Sequence, residues 1–171
     1  MRELAEWLQT TPVSVGIQAS KWMVPLLQSI HILTIGVVFV SSLMIALRVL
    51  GRMRVDEPFG AVWRRFAPWM WSGLAVMTLT GLLLVLAEPV REVTTLSFWV
   101  KMTLVLVAVS STALFGRALR AAAAGGAGPA QFSAAAKSGA LALIIVWLAI
   151  IFLGRAIAYD TEVWGSLSRH A

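Results

Sequence analysis

From Val24 to Leu47 the chain runs for 24 consecutive positions without a formally charged side chain, counting His31 as neutral. About 20 mostly apolar residues, each rising 1.5 Å along a helix, cross a hydrocarbon core of roughly 30 Å. Three further runs follow. Pro68 to Ala87 supplies 20 such positions, Met102 to Gly116 supplies 15, and Ser138 to Gly154 supplies 17. The last two reach spanning length if Lys101 and Arg155 sit near an interface, with their charged heads in water and their stems along the apolar surface. Four spans are therefore expected, at about 22–47, 68–87, 96–116 and 138–158.

The spans are predicted to be helices. A membrane strand is short and alternates polar with apolar, whereas these runs are long and apolar all round. Backbone groups in lipid must be bonded within their own segment, which a helix achieves. Only 13% of the 171 residues are charged and 59% are hydrophobic, against about 25% charged in a soluble domain. That balance excludes extended disorder and a two-domain soluble enzyme. The absence of cysteine excludes a disulfide scaffold. The expected fold is all-α: a single membrane domain built as a four-transmembrane-helix bundle.

Charge sets the expected orientation. Arg48, Arg52, Arg54, Arg64, Arg65, Arg117, Arg120 and Lys137 fall in the two loops on one side, and the remaining six Lys and Arg fall on the other. Six of the eight acids accompany the smaller group, so net charge is +6 against 0. The positive-inside rule predicts a multi-pass protein of a bacterial inner membrane, with the arginine-rich loops cytoplasmic and both termini periplasmic. The basic excess is thus read as topology, and no nucleic-acid-binding motif accompanies it. Glu3 and Glu6 interrupt the N-terminal region, which argues against a cleavable signal peptide. Leu4, Trp7 and Leu8 share a helical face, predicting a short amphipathic helix over Arg2 to Thr10, part of an interfacial segment 1–21. Trp22, Trp63, Trp69, Trp71, Trp99 and Trp164 lie near span ends, as an aromatic belt would. Residues 118–137, rich in Ala and Gly, read as a flexible connector.

Among residues that carry chemistry, His31 stands out. It lies about 14 Å along a helix from Trp22, near mid-bilayer. On a helical wheel Gln28 and Thr34 each fall about 60° from it, and Ser42 about 20°. This polar face is expected to point into the bundle. An ionisable group at that depth is a functional candidate: an axial haem or metal ligand, a quinone hydrogen-bond partner, or a proton-relay station. The bland alternative is a neutral imidazole bonded to a hydroxyl of a neighbouring helix. A six-coordinate haem needs a second ligand, and His170 is in the terminal tail; Met77, about mid-span, is the nearest candidate. A homodimer would supply His31 twice. Lys101 and Arg155 form a second candidate group, either snorkelling cations or a cationic pocket for an anion such as haem propionates or a lipid headgroup.

Small residues mark expected helix contacts. Gly73 and Thr80 are seven apart, and Ala108, Thr112 and Gly116 recur at four. No phosphate loop, dinucleotide fingerprint or zinc-protease motif is present, and no carboxylate lies inside a span. These absences weigh against hydrolytic, phosphoryl-transfer and proton-coupled transport chemistry.

Several motifs carry a resemblance. Trp7-Leu8, Thr11-Pro12, Gln28 to Leu33, Leu47 to Gly51, Pro68-Trp69, Thr80-Gly81, Phe98 to Lys101 and Gly154 to Tyr159 resemble a bacterial inner-membrane family described only as a domain of unknown function. The resemblance covers nearly the whole chain and implies four membrane helices with no established activity. Many members of that family carry a His after a Phe near the end of the third span, where this chain has Phe115-Gly116. If that His is a haem ligand elsewhere, it is missing here. The expected function is a non-catalytic membrane subunit or scaffold, partnered by lipid and by a membrane protein or a second copy. The alternative is a redox module holding b-type haem or quinone through His31, Gln28 and Thr34, with Lys101 and Arg155 steadying an anion.

Overall fold

The structure, a computed structural model, describes residues 2–124 and 132–165. Within them every regular element is helical: α1 (Arg2–Gln9), α2 (Pro12–Ala19), α3 (Met23–Val49), α4 (Phe59–Ala87), α5 (Pro89–Thr94), α6 (Leu96–Ala124), α7 (Ala134–Ala156), a 3-10 turn (Ile157–Tyr159) and α8 (Asp160–Trp164). Helices α3, α4, α6 and α7 are long and apolar enough to cross a membrane. The chain is an all-α multi-pass membrane protein with short helices at one end of the bundle.

Two boundaries differ from the expected ones. Helix α4 begins at Phe59 and continues through Pro68. The charge-free window starts later than the helix because Arg64 and Arg65 suit a helix as well as apolar residues do. Pro58 supplies the start, since proline does not extend a helix backwards. The segment 118–137, expected to be a flexible connector, is helical at both ends. Helix α6 runs on to Ala124, and α7 begins at Ala134 behind a Ser133 cap whose hydroxyl accepts from the Ala136 N–H at 3.2 Å. Alanine is the strongest helix former, so the low-complexity run extends the helix. Residues 125–131 lie outside the described residues, as does His170.

Helix α3 is the axis of the bundle. It packs most extensively on α4 and also on α7, while α6 packs mainly on α7 and touches α4 little. The close α3–α4 seam is explained by small residues. A Cβ added to Gly73 would lie 2.8 Å from Val38 Cγ2. Ala108, Thr112 and Gly116 are all buried on α6, as their spacing predicts. The core runs through Val38, Val49, Phe59, Met70, Trp147 and Ile150.

The short helices tie off the span ends. Gln18 Nε2 on α2 donates to the Ala87 carbonyl at 2.7 Å, satisfying one of the carbonyls a helix leaves unbonded at its C-terminus. Asp160 accepts from the backbone N–H groups of Leu96 (3.2 Å) and Ser97 (2.9 Å). It caps α6 across more than sixty residues of sequence. Trp164 Nε1 donates to Ser97 Oγ at 2.9 Å.

Candidate functional site

His31 lies on α3 within the half of the bundle nearest these short helices, and its ring is half-buried. The sequence places Thr80 seven residues from Gly73 on α4, one face of the close seam, so its hydroxyl meets the imidazole. Nδ1 of His31 is 2.8 Å from Thr80 Oγ1. The hydroxyl proton has partners of its own, the carbonyls of Val76 at 2.9 Å and Met77 at 3.2 Å. A hydroxyl has one proton and two lone pairs. With that proton directed at the helix backbone, the oxygen accepts from Nδ1–H. In that arrangement a neutral ring carries its proton on Nδ1 and keeps a lone pair on Nε2. Gly81 gives the ring room: a Cβ there would lie 3.3 Å from His31 Cε1.

The other predicted residues divide. Thr34 is half-buried, but its hydroxyl donates to the Ile30 carbonyl of its own helix at 2.6 Å. Gln28 is exposed, contrary to the expected inward polar face. The wheel angle is correct, but α3 has neighbours on only part of its circumference here, and 60° carries Gln28 past their edge. Ser41 and Ser42, deeper along the same helix, are buried. Met77 is buried one turn from Thr80, and what it presents to His31 is its backbone carbonyl.

Lys101 joins the His31 neighbourhood. Lys101 is half-buried and within electrostatic reach of both His31 and Glu92. Its Nζ lies against α7, 3.6 Å from where a Cβ on Gly154 would stand. Arg155, the next residue, is exposed and pairs with no carboxylate among the described residues. The two cations thus differ in burial, Lys101 half-buried and Arg155 exposed. Glu92 on α5 completes the group: burial pushes its carboxyl above the ordinary range, against the pull of Lys101 and then Arg91. Glu88, Glu92, Asp160 and Glu162 are the acids nearest Lys101 and Arg155 on this side in sequence, and Glu92 is the one whose charge acts on Lys101. Its signal was spacing: it precedes Lys101 across the tight α5–α6 turn.

One aromatic residue departs from the belt. Trp63 is buried, its indole resting on the Gly116 backbone, with the Arg120 guanidinium 4.8 Å from the ring centroid. Trp22 and Trp69, by contrast, are exposed as a belt requires.

Among the described residues no group of three or more His, Asp or Glu side chains converges as a metal site. Comparison with protein-family models, with curated proteins and with solved structures returned no match.

Proposed function

We propose that the protein is a non-catalytic component of a bacterial inner membrane, a small subunit or scaffold, with both termini in the periplasm. The observation that carries this reading is the His31–Thr80 bond at 2.8 Å. The one histidine within a span is spent on closing α3 against α4, at the same seam where Gly73 lets the two helices meet. An interhelical hydrogen bond of this kind is worth about 0.6 kcal/mol on average in a membrane protein, which suits a fastener. The charge distribution supports the orientation, through the positive-inside rule.

A second reading keeps one observation in its favour. With Nδ1 donating to Thr80, Nε2 of His31 offers a lone pair, so a quinol hydroxyl or a haem iron would find a ligand atom there. The deciding measurement is the absorption spectrum and the organic extract of the protein purified from membranes, for wild type and His31→Ala. The expected result is no Soret band and no stoichiometric quinone, with His31→Ala only less stable to heat. A Soret band, or a quinone lost on His31→Ala, overturns the structural reading in favour of the redox one.

A further inference from the structure

At the opposite end of the bundle α4 and α6 line an open cavity of about 560 Å³. We infer that this cavity binds an anionic phospholipid, its phosphate among Arg64, Arg117 and Arg120 and an acyl chain along the floor between the helices. The three arginines line the rim. None of them pairs with a carboxylate among the described residues. Of the two acids in the preceding loop, Glu57 is engaged by Arg54 and Arg65, and Asp56 forms no ion pair with the three arginines. Three like charges around one space repel one another unless an anion joins them, and guanidinium groups bind phosphate in a two-pronged geometry.

The floor has the opposite character. Ala67, Pro68 and Trp71 on α4 face Ala113 on α6. From Arg64 to Trp71 is about 10 Å along the helix, the depth that separates a headgroup from the upper acyl chain. Proline has no N–H to offer the carbonyl four residues back. Pro68 therefore leaves the Arg64 carbonyl without its helical partner at the cavity wall.

The arrangement is built rather than incidental. Trp63 forms the inner wall because α6 has glycine at 116, where a Cβ would stand 2.1 Å from the indole. Arg120 is held over that indole, and its Nε donates to the Gly116 carbonyl at 3.0 Å. Two exposed guanidinium groups, Arg64 and Arg117, remain to close on the ligand. A soluble phosphate would use the rim and not the apolar floor, so the geometry favours a lipid.

The test is a titration of the full-length protein in non-ionic detergent, read by native mass spectrometry. The probes are phosphatidylglycerol, phosphatidylcholine and inorganic phosphate. Phosphatidylglycerol is expected to bind about ten-fold or more tightly than phosphatidylcholine, and Arg64→Gln/Arg117→Gln to remove that advantage. Arg52→Gln/Lys137→Gln, which removes two cations from the same end outside the cavity, is expected to leave it intact. Equal loss in both double variants would show a diffuse surface effect and overturn the inference. Inorganic phosphate competing as well as the lipid would overturn the lipid assignment. Should the arginine double variant fail to fold, Ala113→Trp fills the floor without altering charge. It is expected to abolish selective binding, and unchanged binding would refute the site.

Discussion

The two ends of this bundle handle ionisable groups by different physics. At the end carrying the short helices, acids and hydroxyls serve as fasteners. Asp160 caps α6, Glu88 pairs with Arg91 at 2.5 Å, and His31 is bonded to Thr80. At the other end Arg48 is buried, its Nε donating to the Glu57 carbonyl at 3.0 Å and its guanidinium 5.9 Å from the Phe132 ring centroid. Arg120 lies over Trp63, and Arg64 and Arg117 face open space. A short Asp such as Asp160 reaches the backbone N–H groups of a neighbouring helix start and so fastens it. Long, weakly hydrated guanidinium groups lie on aromatic faces and carbonyls and keep capacity for an external anion.

The contrast is most easily broken at glycine. Gly116→Ala drives a Cβ into the rigid Trp63 ring and should cost about 1–3 kcal/mol. Gly154→Ala meets only the flexible tip of Lys101 at 3.6 Å and should be neutral or gain up to about 1 kcal/mol of helix propensity. Thermal unfolding in detergent measures both, and equal losses would mean the arginine-rich end is no more tightly built than the other. Next in size is the cap. Asp160→Ala should cost about 0.5–2 kcal/mol, with faster hydrogen exchange at the Leu96 and Ser97 amides specifically.

A double-mutant cycle of His31→Ala and Thr80→Val should return a coupling near 0.6 kcal/mol and at most about 1.7 kcal/mol. A coupling of zero would remove the fastener from the account. The smallest effect is one of pH. The Glu92 carboxyl is raised by burial, so the protonated form is favoured in the folded state. Its contribution is present below the ordinary carboxylate pKa and is lost as pH rises through the raised one. Wild type should therefore lose stability relative to Glu92→Gln across that interval. Parallel profiles for the two would show that Glu92 is freely solvated.

Much of this was legible in the sequence. Charge-free length identified the spans, because the cost of a charge in hydrocarbon leaves a one-dimensional record. The spacing of Gly73 with Thr80, and of Ala108 with Thr112 and Gly116, marked the contact faces. Helix ends were less legible, since hydropathy reports where lipid lies and not where the helix stops; α4 and α6 both extend beyond their apolar windows. The wheel grouped Gln28 with His31, yet only one of them faces a neighbour. Trp63 read as an interfacial belt residue and proved to be a buried wall.

By itself the sequence determined that the chain is helical, spans a membrane four times and carries an unequal share of cations at its two ends. These follow from solvation, which acts on each residue through its own chemistry. The tertiary structure alone decided that Thr80 receives His31, that Lys101 stands within electrostatic reach of Glu92, and that three arginines line one cavity. Each of these depends on how far one helix stands from another, a distance set by many side chains packing at once.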